Sequence, residues 1–286
     1  MIDSWDPQWP DRQSIDGSPA AVEAVVATAS MAVSSYPALG EVTDLAPSGG
    51  LVLRRVEVDR SLYYAAKRGV DFLVASILLL ILSPLLVAIA IAIKLDSPGP
   101  VIFRQQRVRG RRVEDEVRGV WMTEPFTLYK FRTMKVDADP TLHRDYMAAY
   151  LTGDEQRLTT LRPGRKPGDS YRPAHDPRVT RVGTVLRKLS LDELPQLWNV
   201  LLGQMSLVGP RPPLSYEVVL YREHHLERLA GPPGVTGWAQ VRGRSGIGFE
   251  ETVQLDVEYL RRQSIWHDLK VLLLTVPAVL SGRGAD

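Results

Sequence analysis

The acidic pair Asp192–Glu193 is the strongest candidate for chemistry in this sequence. It lies within Ser190-Leu191-Asp192-Glu193-Leu194-Pro195, at the predicted start of a helix. Ser190 and Glu193 match a capping box, so capping alone is one interpretation. A helix N-terminus also keeps a carboxylate ionised. The other interpretation is therefore that Asp192 attacks a phosphorus atom and Glu193 binds a divalent cation that neutralises a diphosphate leaving group.

Three arginines near this segment could bind phosphate. Arg187 lies five residues before Asp192, Arg211 lies within Gly209-Pro210-Arg211-Pro212-Pro213, and Arg244 follows a turn. The planar guanidinium group suits bidentate phosphate contacts, and the three prolines restrict the position of Arg211. A solvated surface role is the alternative for each arginine taken alone.

Hydrophobic periodicity predicts the elements that would position these groups. Apolar residues at helical spacing run from Leu194 to Leu202 and stop at Gly203, as in an amphipathic helix. The other predicted helices are 140–151, 214–229 and 250–262, the predicted strands are 101–104, 126–132 and 236–241, and the predicted loops are 110–125 and 162–177. The apolar stretch 266–279 is too short to span a bilayer and is expected at its interface.

The longest apolar run, Phe72–Ile93, contains no charged residue. As a helix it would be roughly 33 Å long, enough to cross a bilayer core of about 30 Å. This length favours a membrane helix over a buried helix of a soluble protein. Ser83-Pro84 lies at its centre, where proline favours a kink. The carbonyl that the proline leaves without a donor needs another partner, which Ser83 or a local rearrangement could supply.

Basic residues flank the apolar run on both sides. They are Arg54, Arg55, Arg60, Lys67 and Arg68 before it, and Lys94, Arg104, Arg107, Arg109, Arg111 and Arg112 after it. A spanning helix would place one cluster outside, against the positive-inside tendency. A re-entrant helix bent at Ser83-Pro84 would keep both clusters in the cytoplasm. The residues alone leave the spanning and re-entrant forms equally open.

The composition excludes several classes of protein. The chain has 286 residues and no cysteine, which rules out disulfide frameworks, thiolate metal sites and a cysteine nucleophile. Residues 1–50 carry seven acids and one base and are expected to be a mobile tail, whereas the rest carries 34 bases and 26 acids. This basic body indicates an anionic partner, or else a base bias of the genome.

From Ala65 to Pro277 the chain resembles the bacterial sugar transferases, which are monotopic polyprenyl-phosphate phosphoglycosyl transferases. Eight segments in order carry the resemblance, and together they are very specific. They are 67–71 (KRGVD), Ser83-Pro84, 97–101 (SPGPV), 129–134 (YKFRTM), 189–196 (LSLDELPQ), 206–212 (SLVGPRP), 237–241 (GWAQV) and 255–259 (LDVEY). Arg242 departs from the pattern, since the family often has asparagine there.

The resemblance implies a role for each matching residue. Asp192 would be the nucleophile, and Glu193 would be assigned to Mg²⁺. Phosphate and substrate would be bound by Arg187, Arg211, Arg244, Lys130 and Arg132. Ser83-Pro84 would be the break that makes the membrane helix re-enter, which tips the topology toward that form.

The predicted fold is mainly α with small β elements (α+β). Its domains would be a tail (1–50), a connecting segment (51–66), a re-entrant membrane helix (67–96) and a cytoplasmic catalytic domain with amphipathic interfacial helices (97–286). The resemblance implies location at the cytoplasmic face of the bacterial inner membrane.

The implied reaction transfers a phosphosugar from a nucleotide diphosphate sugar, expected to be UDP-linked, to polyprenyl phosphate. The expected partners are these two substrates and the bilayer, without nucleic acid, and a homodimer is left open. One alternative is a membrane-anchored protein that binds anionic lipid or nucleic acid without turnover. A metal-dependent phosphodiesterase or nuclease is a second, which five scattered histidines disfavour.

Overall fold

The computed structural model describes residues 52–53, 60–113, 120–136, 138, 141–162, 176–243 and 247–280. The predicted tail 1–50 and residues 163–175 of the predicted loop lie outside these ranges. The helices are α1 (Ser61–Asp96), α2 (Thr141–Thr152), α3 (Glu155–Leu161), α4 (Arg181–Lys188), α5 (Gln196–Leu201), α6 (Ser215–Val218), α7 (Glu223–Leu226), α8 (Trp238–Arg242), α9 (Phe249–Arg262) and α10 (Ile265–Leu280). Two 3₁₀ turns are Leu191–Glu193 and Glu227–Leu229, and the strands are β1 (Val52–Leu53), β2 (Ile102–Val113), β3 (Val120–Phe131), β4 (Ser206–Val208) and β5 (Gly234–Thr236).

The described residues are therefore mostly helical with two small sheets, as the sequence predicted. In the first sheet β3 lies between β1 and β2, and in the second β4 pairs in parallel with β5. Helix α1 begins six residues before the predicted membrane segment, so it includes the last six residues of the predicted connection (61–66).

The prediction of a loop over 110–125 is wrong for its described residues. Strands β2 and β3 form one antiparallel hairpin, in register from the Ile102–Phe131 pair to the Val113–Val120 pair. The many charged residues in this segment obscure the alternation that is typical of a strand. In the hairpin, opposite charges face each other, because Glu124 forms ion pairs with both Arg109 and Arg111. A side chain at Gly110 would overlap the carbonyl of Leu229, so glycine permits close packing there.

Two other predicted elements differ from the structure. Residues 236–241 were predicted as a strand, but pairing ends at Thr236 and helix α8 follows, with Trp238 buried in the main core. Residues 214–229 were predicted as one helix but form α6, α7 and a 3₁₀ turn. His225 stabilises the break between α6 and α7. Its Nδ1 accepts the Arg222 N–H at 3.0 Å and so caps the start of α7.

Helix α1 is attached to the core through its N-terminal half. Ala75 packs in the main cluster with Phe126, Val200 and Tyr259. Lys67 Nζ lies 2.6 Å from Asp268 Oδ2 on α10, and both side chains are buried. Arg68 donates to the carbonyls of Val200 and Leu201 at the end of α5, at 2.5 and 2.7 Å.

These contacts correct one premise of the topology argument. Lys67 and Arg68 belong to the predicted basic membrane flank, yet both side chains bind other parts of the protein. Asp268 binds Lys67, and the carbonyls at the C-terminus of α5 bind Arg68. The attraction of this flank for a membrane surface is correspondingly smaller.

The middle of α1 is apolar and largely uncovered. Among the described helices, α1 alone is long and apolar enough to cross a bilayer. Leu80 is 77% exposed. Pro84 lies within the helix, and Ser83 Oγ donates to the Leu80 carbonyl at 2.8 Å. That carbonyl is the one Pro84 leaves without its usual donor, so the predicted partner is confirmed.

Candidate active site

Asp192 and Glu193 lie in a 3₁₀ turn rather than at the first turn of a long helix. Ser190 adopts a left-handed backbone with φ of 54°, and its side chain makes no capping hydrogen bond. The predicted capping box is therefore wrong. Pro195 occupies the N-cap position of α5, near the helix start as expected. The turn holds Asp192 in a buried position, with 7% of its surface exposed.

Glu193 joins three motifs that are distant in the sequence. Its Oε1 accepts from Lys130 Nζ at 2.7 Å and from Arg211 Nη1 at 3.3 Å. Burial lowers the pKa of Lys130, while the charge of Glu193 acts in the opposite direction. Lys130 therefore lies beside the acidic pair, although it does not line the cavity described below.

The remaining predicted site residues have different surroundings. Arg187 Nε donates to Thr133 Oγ1 at 2.9 Å, and Arg187 lines the cavity. Arg132 binds the carbonyls of Ser97 and Pro98, so it holds the turn after α1 and is not brought to the cavity. Arg244 lies outside the described residues. Arg242, which departs from the family pattern, stacks on Trp238, with 5.0 Å between its Cζ and the ring centroid.

One cavity of about 530 Å³ connects the acidic pair with an apolar wall. Its polar end contains Asp192, Glu193, Arg187 and Arg211. Its apolar wall is supplied by α1 and α10, through Leu78, Leu82, Leu272, Ala278 and Val279. The cavity can therefore accept a ligand that is anionic at one end and apolar at the other.

Several further polar residues line this cavity that the sequence does not predict there, among them Arg107, Arg228 and Gln240. The sequence presents Arg107 only as a base beside the apolar run and Arg228 as part of a predicted helix, yet both are buried. Gln240 was named only as part of a motif. Alternation along β2 could have shown that Arg107 shares a strand face with Gln105, but no local pattern distinguishes Arg228 from a surface arginine.

The donor atoms of the acidic pair suit Mg²⁺. Adjacent carboxylates supply the hard oxygen ligands that this ion prefers, usually together with substrate phosphates. Glu193 Oε1 already accepts from two cationic side chains, which oppose a further positive charge. The acidic pair is therefore best suited to Mg²⁺ when the ion is accompanied by an anionic diphosphate.

A second group of metal-type ligands lies away from the acidic pair. His224 Nε2 and His225 Nε2 each lie 2.9 Å from a carboxylate oxygen of Glu250. His225 Nδ1 accepts a backbone N–H, so the network assigns the ring proton to Nε2. A protonated Nε2 donates to Glu250 and has no lone pair for a metal. The geometry therefore indicates a hydrogen-bonded link between α7 and α9.

Comparison with known proteins extends over most of the chain. The bacterial sugar transferase family matches residues 62–282. The UDP-glucose:undecaprenyl-phosphate glucose-1-phosphate transferase of Escherichia coli is 40% identical over 220 residues, covering 73% of this chain and 39% of that protein. The enzyme of the same name from Caulobacter vibrioides is 38% identical over 259 residues, covering 85% of this chain and 80% of that protein.

A shorter relative matches along nearly its whole length. The exopolysaccharide production protein ExoY of Rhizobium meliloti is 36% identical over 220 residues, covering 77% of this chain and 88% of that protein. This chain thus spans less than half of the Escherichia coli relative but most of the two others. Apart from the first residue of α1, the match over 62–282 includes every described element from α1 to α10. The chain belongs to the bacterial sugar transferase family.

Proposed function

We propose that this protein transfers a phosphosugar from a UDP-sugar to polyprenyl phosphate. The observation that carries the proposal is the cavity joining the acidic pair and arginines to an apolar wall from α1 and α10. A diphosphate suits the cationic end, and an isoprenoid chain suits the apolar wall. Two relatives that are named for UDP-glucose and undecaprenyl phosphate support the same substrate classes.

Asp192 is the nucleophile of the proposed reaction. One of its carboxylate oxygens attacks the phosphorus that bears the sugar, and the bond from that phosphorus to the bridging oxygen breaks. The nucleoside monophosphate, UMP for a UDP-sugar, leaves with the electron pair. A phosphate oxygen of the polyprenyl phosphate then attacks the same phosphorus. The bond to Asp192 breaks, which regenerates the carboxylate and forms polyprenyl diphosphate sugar.

The neighbouring side chains bind and orient the diphosphate. Arg211 and Arg187 line the polar end of the cavity, and planar guanidinium groups match phosphate oxygens. Glu193 would hold Mg²⁺, whose chemistry is to neutralise charge on the leaving group. Lys130, 2.7 Å from Glu193, balances the acidic pair when the substrate is absent.

The contacts of α1 support a re-entrant topology. Its N-terminal part binds the catalytic domain through Lys67 and Asp268. At its C-terminal end, Asp96 Oδ2 accepts the Val182 N–H of α4 at 3.0 Å, and Ile93 packs near Phe131. Since both ends contact the same domain, both belong on one side of the bilayer. The exposed middle then enters the lipid.

We place the catalytic domain at the cytoplasmic face of the bacterial inner membrane. Nucleotide sugars are cytoplasmic, whereas polyprenyl phosphates reside in the bilayer, so the site must face both. Helix α10 adds an exposed apolar surface suited to the interface, where Trp266 is 80% exposed. The name of the Rhizobium meliloti relative favours exopolysaccharide assembly as the pathway.

The test uses the full chain in nanodiscs with Mg²⁺ and undecaprenyl phosphate. UMP release is measured with UDP-glucose, UDP-galactose and UDP-N-acetylgalactosamine. Asp192→Asn is expected to lower the rate by at least about a thousandfold. The matched control is Asp145→Asn, a half-exposed aspartate of α2 away from the cavity. Without acceptor, the wild-type protein should gain the mass of one phosphosugar, and Asp192→Asn should not.

Three outcomes separate the proposal from its alternatives. Near-normal turnover by Asp192→Asn would exclude the covalent step. Binding of lipid and nucleotide sugar without UMP release would favour a membrane-anchored binding protein. Hydrolysis of nucleic acid or simple phosphodiesters would favour the nuclease alternative.

A further inference from the structure

The loop that carries Arg211 has few backbone N–H groups with which to form hydrogen bonds to the rest of the protein. We call Gly209–Pro213 the proline loop. Three of its five residues are prolines, which lack an N–H, so its carbonyl groups must provide most of its anchoring. Four consecutive carbonyls of the loop are bonded: Pro210 O to Gly234 N at 2.9 Å, Arg211 O to Arg228 Nη2 at 3.4 Å, Pro212 O to Arg107 Nη1 at 2.9 Å, and Pro213 O to Val108 N at 3.0 Å.

Arg228 reaches the loop from the 3₁₀ turn Glu227–Leu229. Its Nε and Nη2 donate to Asp256 Oδ2 on α9, at 3.0 and 2.6 Å. Its Nη1 donates to the hydroxyl of Tyr221 at 2.8 Å. Since Arg228 and Asp256 are both buried, these bonds fix the guanidinium group against Arg211 O.

Arg107 reaches the loop from a different element, strand β2. Its Nε and Nη2 donate to Gln105 Oε1 at 3.1 and 2.8 Å. Its Nη1 is then directed to Pro212 O. The side chain is only 8% exposed, so these bonds form away from bulk solvent.

We propose that Arg107 and Arg228 are positioning residues that hold the proline loop, and with it Arg211, at the cavity. They bind adjacent carbonyls of the loop and approach from different elements. Arg211 Nη1 is thereby kept 3.3 Å from Glu193 Oε1. This inference rests on the proposed function for its kinetic consequence, whereas the restraint on the loop is independent of it.

The first test measures the loop itself by hydrogen–deuterium exchange of the full chain in nanodiscs. Between residues 209 and 214 only Gly209, Arg211 and Leu214 carry amide protons, so these three amides report the loop within a peptide covering 205–217, and overlapping peptides separate them from the amides of β4 and α6. Arg107→Lys and Arg228→Lys each keep the charge but cannot reproduce all the guanidinium bonds. We expect exchange in this peptide to accelerate about tenfold in each variant.

The matched control is Arg111→Lys, an exposed arginine on the same strand as Arg107. It should leave the exchange of this peptide unchanged. Unchanged exchange in both Arg107→Lys and Arg228→Lys would overturn the proposal. Should Arg228→Lys fail to fold, Tyr221→Phe, which removes one bond to Arg228, takes its place.

The second test asks whether the two arginines act through Arg211. In the wild-type background each lysine variant should lower kcat for UMP release about tenfold or more, because misplacing a phosphate-binding group is costly. In the Arg211→Lys background the same changes should each cost less than about twofold. Fully multiplicative losses would mean that Arg107 and Arg228 contact substrate directly, against the proposal.

The two readouts also separate this inference from the proposed function. If the wild-type protein releases no UMP with any of the three UDP-sugars, the proposed function fails, and the exchange measurement still decides the role of the two arginines. Turnover with normal exchange in both variants would leave the proposed function standing and overturn the positioning role.

Discussion

At the scale of single residues, the two members of the acidic pair have different surroundings. Asp192 is buried in the 3₁₀ turn, whereas Glu193 accepts hydrogen bonds from Lys130 and Arg211. A metal ligand must exchange its cationic partners for the metal ion, and Glu193 Oε1 has two such partners. Glu193 is therefore the residue at which metal dependence is expected to originate.

The change Glu193→Gln should reduce both the rate and its response to Mg²⁺. The amide keeps an oxygen acceptor for Lys130 but lacks the charge that attracts a dication. UMP release is expected to fall about a hundredfold and to become insensitive to Mg²⁺ concentration. The control is Glu124→Gln on the β2–β3 hairpin. An unchanged Mg²⁺ response would remove Glu193 from the metal role.

Gln240 has a side-chain oxygen placed to receive a ligand. Its Oε1 is buried and has no hydrogen-bond donor among the described residues, while its Nε2 donates to Val235 O at 3.5 Å. An unsatisfied buried acceptor costs free energy that a hydroxyl or N–H group of a bound donor would recover. Gln240 lines the same cavity as Asp192.

The change Gln240→Met should therefore weaken substrate binding without weakening the fold. Methionine keeps the volume and removes the unsatisfied acceptor, so the thermal midpoint should hold or rise. The KM for the UDP-sugar should increase about tenfold, because one hydrogen bond to the substrate is lost. Gln254→Met, at an exposed position of α9, is the control. An unchanged KM, or a large fall in the midpoint, would contradict this role.

At the scale of elements, the site depends on how short helices are tied together. Helix α7 is linked to the first turn of α9 by His224, His225 and Glu250. Phe249, the first residue of α9, lines the cavity and contacts His225, with 4.8 Å between the ring centroids. Loss of this link would therefore disturb one wall of the cavity.

This link should make stability fall in acid. Burial lowers the pKa of His225, and hydrogen bonds from His224 and His225 lower the pKa of Glu250. For both groups the unfolded state therefore binds a proton at a higher pH than the folded state does. The free energy of unfolding falls as the pH drops below the ordinary pKa values, 6.5 for His225 and 4.5 for Glu250. The thermal midpoint of unfolding should be lower at pH 5.5 than at pH 7.5, and this difference should be smaller in His225→Gln than in the wild type.

The comparison of pH slopes distinguishes this link from a general acid effect. His267→Gln changes a histidine outside the link and should keep the wild-type slope. Equal slopes in the wild type and His225→Gln would show that the His225 proton does not contribute.

At the scale of the whole molecule, the main question is how a helix of 36 residues meets the membrane. Its two ends contact one domain, through Lys67 at the start and Asp96 at the end. A straight span would break one set of these contacts. The Ser83–Leu80 hydrogen bond allows the proline at the centre without an unsatisfied carbonyl in lipid.

Cysteine labelling tests this topology, because the native chain has no cysteine. Ser61→Cys and Lys94→Cys place thiols at exposed positions near the two ends of α1. In intact cells both should be protected from an impermeant thiol reagent, and both should react after permeabilisation. A cysteine at Gln254 serves as the marker of the catalytic domain. Labelling of one end alone in intact cells would indicate a spanning helix.

Some features follow from the sequence alone because they depend on neighbours in the chain. The apolar helix, the start of α2 near Thr141, the stop at Gly203 and the partner of the Leu80 carbonyl were all predicted. Each depends on periodicity, glycine or proline, which act over one or two turns. The order of the short motifs likewise identified the family.

Other features were decided only by tertiary structure, because they depend on partners far along the chain. The strand character of 105–113 required pairing with β3, and Lys67 required Asp268, which lies 201 residues away. Ser190 matches a capping box, yet it adopts a left-handed backbone between α4 and the 3₁₀ turn, and its side chain makes no capping hydrogen bond. The bonds of Arg107 and Arg228 to the proline loop arise from three separate elements. From its neighbours in the sequence, a charged residue is predicted to lie in solvent. Only the folded chain shows which buried oxygen it binds.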